Sequence, residues 1–410
     1  MKILITVAAL TLCAGQVRGQ AEYDFSLVDA LVPNYGLRET YIYDINDQGV
    51  AIGTTTGNTP IGISYVGFTW TLTGRITTTP LSWPHGISNT GLAVGVGTVR
   101  DLSTAQTWNL PLLPGTYIVP YPGDINDAGV AVGMVQTCNC SNSQGVLQIP
   151  YIWDAVGGAR TVSVPGATGL SRVNASNVAI GWVGGNSQPD SFFVDLESGR
   201  YTMMSTVVPN TGPGSTKAFD INDSGEVVGT RTGTGLVYFY GYLYSPVSGA
   251  QLLPLPGAPY QQAFSPSTIN NAGQIAGHIY ISGSSRSCVY DAVHGIRDLN
   301  DPALVAGIPP GFVLMYTSRI NNNGWIVGYG AGGGGMYKSY VLRPRTVGAC
   351  YANCDGSSAI PILNVNDFTC FLNRFAAGDT YANCDGSTGL PVLNVNDFTC
   401  FLNSYASGCP

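Results

Sequence analysis

One phrase, written seven times, constrains this chain more than anything else in it. Asp44-Ile45-Asn46-Asp47-Gln48-Gly49-Val50-Ala51-Ile52-Gly53 recurs at Gly86 to Gly95, Asp124 to Gly133, Arg172 to Gly181, Asp220 to Gly229, Thr268 to Gly277 and Arg319 to Gly328. Its anchoring aliphatic stands at 45, 87, 125, 173, 221, 269 and 320, in steps of 42, 38, 48, 48, 48 and 51 residues. A repeat of this length holds one supersecondary unit that cannot bury its apolar face alone, so the units must stack. Ala218 to Asn222 reads as an extended run, and Asp223-Ser224-Gly225 as a tight connection with Gly in the left-handed position. Glu226 to Thr230 is the returning strand.

An aromatic follows each anchor 20 to 28 residues later: Trp70, Trp108, Trp153, Phe193, Tyr244, Tyr290 and Tyr340. A fourth run often ends in Pro, as in Ala250 to Pro254 and Arg160 to Pro165. Four strands per unit and seven units predict a mainly β fold, a seven-bladed β-propeller. The seventh unit lacks its fourth run, and Phe25 to Pro33 looks like a fourth strand with no unit of its own. The expectation is a ring closed by this N-terminal strand, which also hides two sheet edges. Composition agrees. Charged residues are 10 % of the chain, and Glu occurs only at 22, 39, 197 and 226. Such a chain lacks the residues that usually fill helix surfaces. The net charge of −7 offers phosphates no basic footprint, which argues against nucleic-acid binding.

The phrase resembles the HAF-type extracellular repeat, Gly-Ile-Asn-x-x-Gly-x-Val-Val-Gly before an aromatic-rich strand, over about residues 41 to 345. Ser88 and Ala175-Ser176-Asn177 depart from it in the second and fourth copies. The resemblance implies a secreted β-repeat protein and carries no catalytic motif. The N-terminus fits export. Lys2 precedes the apolar run Ile3 to Ala14, and cleavage before Gln20 would make residues 1–19 a signal peptide. No other run approaches the length of a transmembrane helix, so the expected location is secreted, extracellular or cell-surface.

Within the body, residues 20–347, the phrase asparagines Asn46, Asn126, Asn174, Asn222, Asn270 and Asn321 read as caps of their own turns. The aromatics read as packing between sheets. His85, His278 and His294 have no metal-ligand spacing and read as surface or turn residues. Asp101 with Asp195 is one conceivable acid pair for glycoside chemistry. Cys138 and Cys140 suggest a bridge or oxidised loop, and Cys288, aligned with Phe68, a buried small residue.

The tail, residues 348–410, carries two near-identical copies 30 residues apart. In the first, Asn353, Asp355 and Ser357 alternate, the backbone near Ile362 follows, and Asn364 and Asp367 end the set. The second supplies Asn383, Asp385, Ser387, Val392, Asn394 and Asp397. Alternating hard oxygens suit Ca2+, so two ions are expected. A helix should start near Val365, with Phe368, Phe371, Leu372 and Phe375 on one apolar stripe, and Phe368, Phe371, Phe398 and Phe401 should join the two helices. The tail resembles a GC-type dockerin, a small helical calcium-loop domain. It departs from cellulosomal dockerins in its longer loops, its Asn at the first ligand, its terminal Asp and its cysteines. Six cysteines allow fifteen pairings. The symmetry of the copies favours Cys354 with Cys370 and Cys384 with Cys400, leaving Cys350 with Cys409. The expected function is non-enzymatic: a propeller binding an extracellular glycan or protein, held by its tail to a cohesin-like or surface-anchoring protein. The alternatives are a carbohydrate-active propeller enzyme carried by a dockerin and a purely structural surface protein.

Overall fold

The computed structural model describes residues 21–407 apart from 29–35, 60–61, 72, 75, 117, 139–145, 185–189, 210–213, 233–238, 255–263, 282, 333–334, 346–350, 358–362, 386 and 388–390. The chain divides into two compact units, one spanning Tyr23–Pro344 and the other containing Arg345–Pro410.

In the larger unit each copy of the phrase is a hairpin at the start of an antiparallel sheet. In the fifth copy, Thr216–Ile221 pairs with Val227–Thr232, then Phe239–Ser245, then Gly249–Leu252. The same four-strand order holds at residues 36–79, 86–109, 121–160, 167–203 and 265–298. A single parallel pairing, Asp190 with Thr216, links the fourth and fifth of these sheets. In the seventh, Val313–Ile320, Ile326–Ala331 and Tyr337–Pro344 are followed by Tyr23–Val28, antiparallel to the last of them. Val305–Ala306 then pairs parallel to Tyr23 and Asp24, a fifth strand that the repeat does not contain.

The closing Gly of the phrase has a steric reason. In six of the seven copies the first strand bulges just before its turn, between Ile42 and Asp44 in the first and Ala218 and Asp220 in the fifth. The bulge presses a carbonyl against the Gly. A Cβ on Gly229 would sit 1.9 Å from the Lys217 oxygen and 2.6 Å from the Tyr242 hydroxyl; on Gly53 it would sit 2.1 Å from the Tyr41 oxygen. The residue facing the Gly across the third strand is Phe68, Tyr151, Phe192, Tyr242, Cys288 or Tyr340. All six are fully buried, so Cys288 does occupy the Phe68 position. The aromatic series read from the sequence mixes registers. Trp70, Trp153, Tyr244 and Tyr290 lie two residues beyond this position, Phe193 one beyond, and Trp108 is in a fourth strand.

Apolar cores lie between consecutive sheets. Ile52 meets Ile87 and Ala93; Val132 and Ile152 meet Leu170 and Phe192; Val327 and Val341 of the seventh sheet meet Ile42, Ala51 and Phe68 of the first. The turns add hydrogen bonds in the same direction. The Asn46 side-chain oxygen accepts from Val50 N, capping its own turn, while its Nδ2 donates to Ser88 O in the next sheet. Asn126, Asn174, Asn222 and Asn270 likewise donate to the carbonyls of Asn174, Asn222, Asn270 and Asn321. Asn321 donates to Asn46 O at 2.9 Å. Ser88 caps its turn through Oγ but has no amide to reach Asn126. A second series runs one position later. The 47, 89, 175, 223, 271 and 322 N–H groups donate to Asn89, Asp127, Asp223, Asn271, Asn322 and Asp47 side chains. Ala175 offers Asp127 no acceptor, so Ser88 and Ala175 each remove one inter-sheet bond, while Asn177 Oδ1 accepts one from Asn126 Nδ2. Asn177 takes the turn's positive φ (58°) in place of Gly, a conformation Asn tolerates.

In the smaller unit, helices Val365–Ala376 and Val395–Ser407 meet through Phe371 stacked on Phe401 at 4.0 Å, with Phe368 and Phe398 beside them. Leu372 is 40 % exposed and stands off the stripe assigned to it. Disulfides join Cys354 to Cys370 and Cys384 to Cys400, the pairing that symmetry favours, while Cys350 and Cys409 lie outside the described residues. Tyr351 and Tyr381 stack at 4.9 Å, each hydroxyl donating to the other's carbonyl.

If the phrase amides tie sheet to sheet, Asn174→Ala removes three bonds, to Ser176 N, Val178 N and Asn222 O. It should destabilise the chain by about 2–3 kcal/mol. Ser88→Asn should supply an absent bond and stabilise by about 1 kcal/mol. Scanning calorimetry of both variants checks the pair, and an unchanged midpoint for Asn174→Ala contradicts the role.

Candidate functional site

The seven turns of the larger unit surround a polar opening of about 110 Å³, lined by Asp44, Asn46, Asp124, Asn126, Asn174, Asn222, Arg319 and their neighbours. Asp44, Asp124 and Arg319 of its lining hold the first position of the phrase, which reads Asp44, Gly86, Asp124, Arg172, Asp220, Thr268 and Arg319 in the seven copies. Position one therefore brings three acids and two arginines together. Asp44, Asp124 and Asp220 are at most 2 % exposed. Each accepts an N–H from the next sheet: Ile87 N to Asp44, Val173 N to Asp124, Ile269 N to Asp220. Arg319 bridges two of them, its Nε 3.1 Å from Asp44 Oδ1 and its Nη1 2.5 Å from Asp220 Oδ1. Burial alone would lower its pKa, but Asp220, Asp44 and Asp124 hold it above the ordinary arginine value. Arg172 donates to Gly123 O at 3.1 Å and lies 3.8 Å from Asp220. Gly86 has its own reason to be Gly, since a Cβ there would come within 2.9 Å of the Asp124 carboxylate.

Asp124 has no arginine within ion-pair distance among the described residues. Burial pushes its carboxyl up to about 6; Arg319 and Arg172 pull it down, and Asp44 adds to the rise. The turn Asn residues were legible as caps, but their inter-sheet amide bonds were not. The charged cluster was missed. Its signal was a single column of the repeat that holds three acids and two arginines.

The acid pair and the histidines stand elsewhere. Asp101 and Asp195 lie in different sheets and each caps its own hairpin turn. Hydrogen bonds from Ser103 and Thr104 lower Asp101 to about 2, and those from Ser198 and Glu197 lower Asp195. The two are turn caps and form no catalytic pair. His294 is a turn residue paired with Asp291. His278, read as a surface or turn residue, is instead half-buried in the strand Ile275–Ile281, its Nδ1 without a hydrogen-bond partner. Burial lowers its pKa to about 4. Cys140 and the Cys138 side chain lie outside the described residues.

In the smaller unit the two loops repeat one geometry. Asn353 Nδ2 donates to Ser357 O, and Asn383 Nδ2 to Ser387 O, both at 2.9 Å. This fixes the amides so that Asn353 Oδ1 and Asn383 Oδ1 are buried with no hydrogen-bond partner, as is Ser357 Oγ. Asp367 and Asp397 are fully buried. Asp367 accepts from Asp355 N and Asn364 N, and Asp397 from Asp385 N and Asn394 N. Asp355 and Asp385 accept Ser357 N and Ser387 N, bonds that lower both carboxyls. Val392 O receives the Ser387 hydroxyl at 3.2 Å, and Ile362 lies outside the described residues. Asn364 and Asn394 turn their side-chain oxygens to the helix, accepting from Asn366 N and Asn396 N, and so act as helix caps. Among the described residues no cluster of three or more His, Cys, Asp or Glu forms. A hard cation here would rest on amide, hydroxyl and carbonyl oxygens around two carboxylates, and the partnerless buried oxygens fit that demand.

No family model matches the chain, and no curated protein matches its sequence. Solved structures do resemble it. The β-propeller domain of the Trilobed protease from Pyrococcus furiosus is 10 % identical with a TM-score of 0.50, over 76 % of this chain and 94 % of that one. An oligogalacturonate lyase in complex with manganese is 10 % identical with a TM-score of 0.50, over 80 % and 99 %. At this identity the likeness is one of fold, and the larger unit of this chain has a β-propeller fold.

The buried carboxyl of Asp124 sets a pH dependence. Its folded pKa of about 6 lies above the ordinary 3.8, so between these values the folded chain holds a proton that the unfolded chain has lost. This contribution to stability is fully present below about pH 4 and falls away as pH rises to about 6. Asp124→Asn should remove that slope and stabilise the chain at pH 7 by roughly 1–3 kcal/mol. Melting both proteins from pH 4 to 7 checks it; parallel curves contradict it.

Proposed function

We propose that the chain is a secreted binding protein: a seven-bladed β-propeller closed by its N-terminal strand, carrying a dockerin-like tail that holds two Ca2+ ions. The buried, partnerless oxygens of Asn353, Ser357 and Asn383 carry the tail reading. Asn353, Asp355, Ser357 and Asp367 would hold one ion, with Asn383, Asp385, Ser387, Val392 O and Asp397 around the other. Each ion would satisfy oxygens that nothing else bonds and would staple a core too small to be stable alone. Ring closure is supported by the seventh-to-first core and by the bond from Asn321 to Asn46. The exported chain would present the propeller to an extracellular glycan or protein and use the tail to attach to a cohesin-like or surface-anchoring partner. The binding reading is supported by the opening itself, whose Asp44 is engaged by Arg319 and by a backbone N–H group, as is Asp220 beside Arg319.

One observation favours a carbohydrate-active enzyme instead. Asp124, held near pKa 6, has the proton affinity of a general acid–base group. Incubating the chain with soluble polysaccharides decides between them: new reducing ends or unsaturated products that Asp124→Asn abolishes would establish the enzyme and overturn the binding reading.

Calorimetry of the full chain with CaCl₂ should resolve two binding events, and the double variant Asp355→Ala/Asp367→Ala should retain one. Absence of binding heat, with circular dichroism indifferent to chelator, would refute the tail reading. Closure has its own test. Deleting residues 23–28 should bare the edge of Tyr337–Pro344 and cause aggregation or a fall in midpoint of many degrees. A deletion variant that elutes as a monomer with the parental midpoint refutes it.

A further inference from the structure

The end of the propeller away from the asparagine turns carries a belt of rings. Tyr41 and Tyr316 each stand five residues before their phrase Asn, and His278 and Tyr329 pair with Ser265 and Tyr316 at the same level of the sixth and seventh sheets. His278 meets Tyr316 at 5.2 Å, Tyr316 meets Tyr329 at 5.1 Å, and Tyr329 meets Tyr41 at 5.2 Å and Tyr337 at 5.6 Å. The group therefore crosses from the sixth sheet through the seventh to the first. A second group lies across the first and second units: Tyr43 with His85 at 5.5 Å, and Tyr65 with Trp83 at 4.5 Å. Tyr41 and Tyr43 lie two residues apart in the strand Gly36–Ile45, so one strand carries a member of each group.

Two features are hard to assign to packing alone. Tyr65 is 51 % and Trp83 40 % exposed, yet their rings remain together. Trp83 holds a positive φ of 48°, a strained conformation for a bulky side chain that presents its indole outward. A third feature is chemical. Tyr, His and Trp rings combine apolar faces with hydroxyl or N–H edges, and His278 Nδ1 is without a partner. Glu39 accepts a hydrogen bond from the Tyr41 hydroxyl, in a chain of net charge −7. Burial, reinforced by Glu39, raises the Tyr41 phenol, so that ring is neutral at pH 7.

We propose that this belt binds an uncharged polysaccharide, its sugar rings laid on Trp83, Tyr65 and the tyrosines that continue across the seventh sheet. Pyranose rings present apolar C–H faces to aromatic planes and hydroxyls to the polar edges beside them. A polyanion would meet the Glu39 carboxylate beside Tyr41, and an acyl chain would leave the phenol and imidazole edges unpaired. The inference rests on the binding reading above and names the ligand class and the surface.

Affinity electrophoresis of the full chain in gels containing hydroxyethyl cellulose, glucomannan or laminarin, with polygalacturonate as the anionic control, tests it. Retardation by at least one neutral polymer is expected. Trp83→Ala and Tyr65→Ala should each weaken it tenfold or more, whereas Tyr201→Ala, at an exposed ring of the fourth sheet, should not. Trp83→Asn, which accepts a positive φ, serves where Trp83→Ala lowers the melting midpoint, and should weaken binding equally. Retention of a neutral polymer that survives both Trp83 variants overturns the belt while leaving the binding reading standing. Retardation by polygalacturonate alone overturns the ligand class. No retardation by any polymer overturns the proposal, and the binding reading then stands or falls on its own turnover assay.

Discussion

A single side-chain amide sets the architecture of the larger unit. The phrase Asn accepts a backbone N–H of its own turn and donates to a carbonyl one sheet further on. A cap that faces only its own hairpin would leave sheets free to slide. With its Nδ2 committed to the neighbour, each turn fixes both its own geometry and the angle to the next sheet. Apolar cores between the sheets supply most of the free energy, because burial is non-directional and scales with area. The amides supply registration, which area cannot. The neighbouring column adds a second set of bonds of the same sense, and the two columns fail at different places, Ser88 in one and Ala175 in the other. No pair of adjacent sheets loses both.

The same geometry explains why charge is tolerated at the innermost point. A carboxylate buried as deeply as Asp44 or Asp220 needs compensating hydrogen bonds and a counter-charge. Both accept N–H groups from the next sheet, and Arg319 reaches both because position one of the first, fifth and seventh copies converges. Asp124 accepts one of these N–H groups and lacks the direct arginine, and its raised pKa follows. The convergence depends on stacking sheets around a common centre. Charges 99 residues apart, as in Arg319 and Asp220, become bonded neighbours.

The hairpin, its left-handed Gly and the four-strand unit were legible in the sequence because they are local. The Gly closing the phrase was legible as a repeat but not as a steric demand, since the carbonyl it avoids belongs to a bulge seen only once the strands are paired. Aromatics were misassigned for a related reason. Spacing along the chain varies with loop length, so Trp108 and Phe193 matched the count without sharing the register of Phe68. Cys288 matched the register without being aromatic. The charged cluster was visible in principle: reading down the first column instead of along the chain places Asp44, Asp124, Arg172, Asp220 and Arg319 together.

The tail was more legible than the body because its two copies are short and nearly identical, so symmetry alone constrained the phenylalanine contacts and two of the three cysteine pairs. What symmetry could not assign was the division of labour among the oxygens. Asn364 and Asn394 share the alternating pattern with Asn353 and Asn383 but sit at a helix start, where the first N–H groups need acceptors. Local helix geometry claims their side-chain oxygens. Asn353 and Asn383 sit on turns where Nδ2 has a carbonyl partner and Oδ1 has none. The same residue type therefore does opposite work eleven positions apart, one closing a helix and the other holding a buried oxygen that no hydrogen bond reaches.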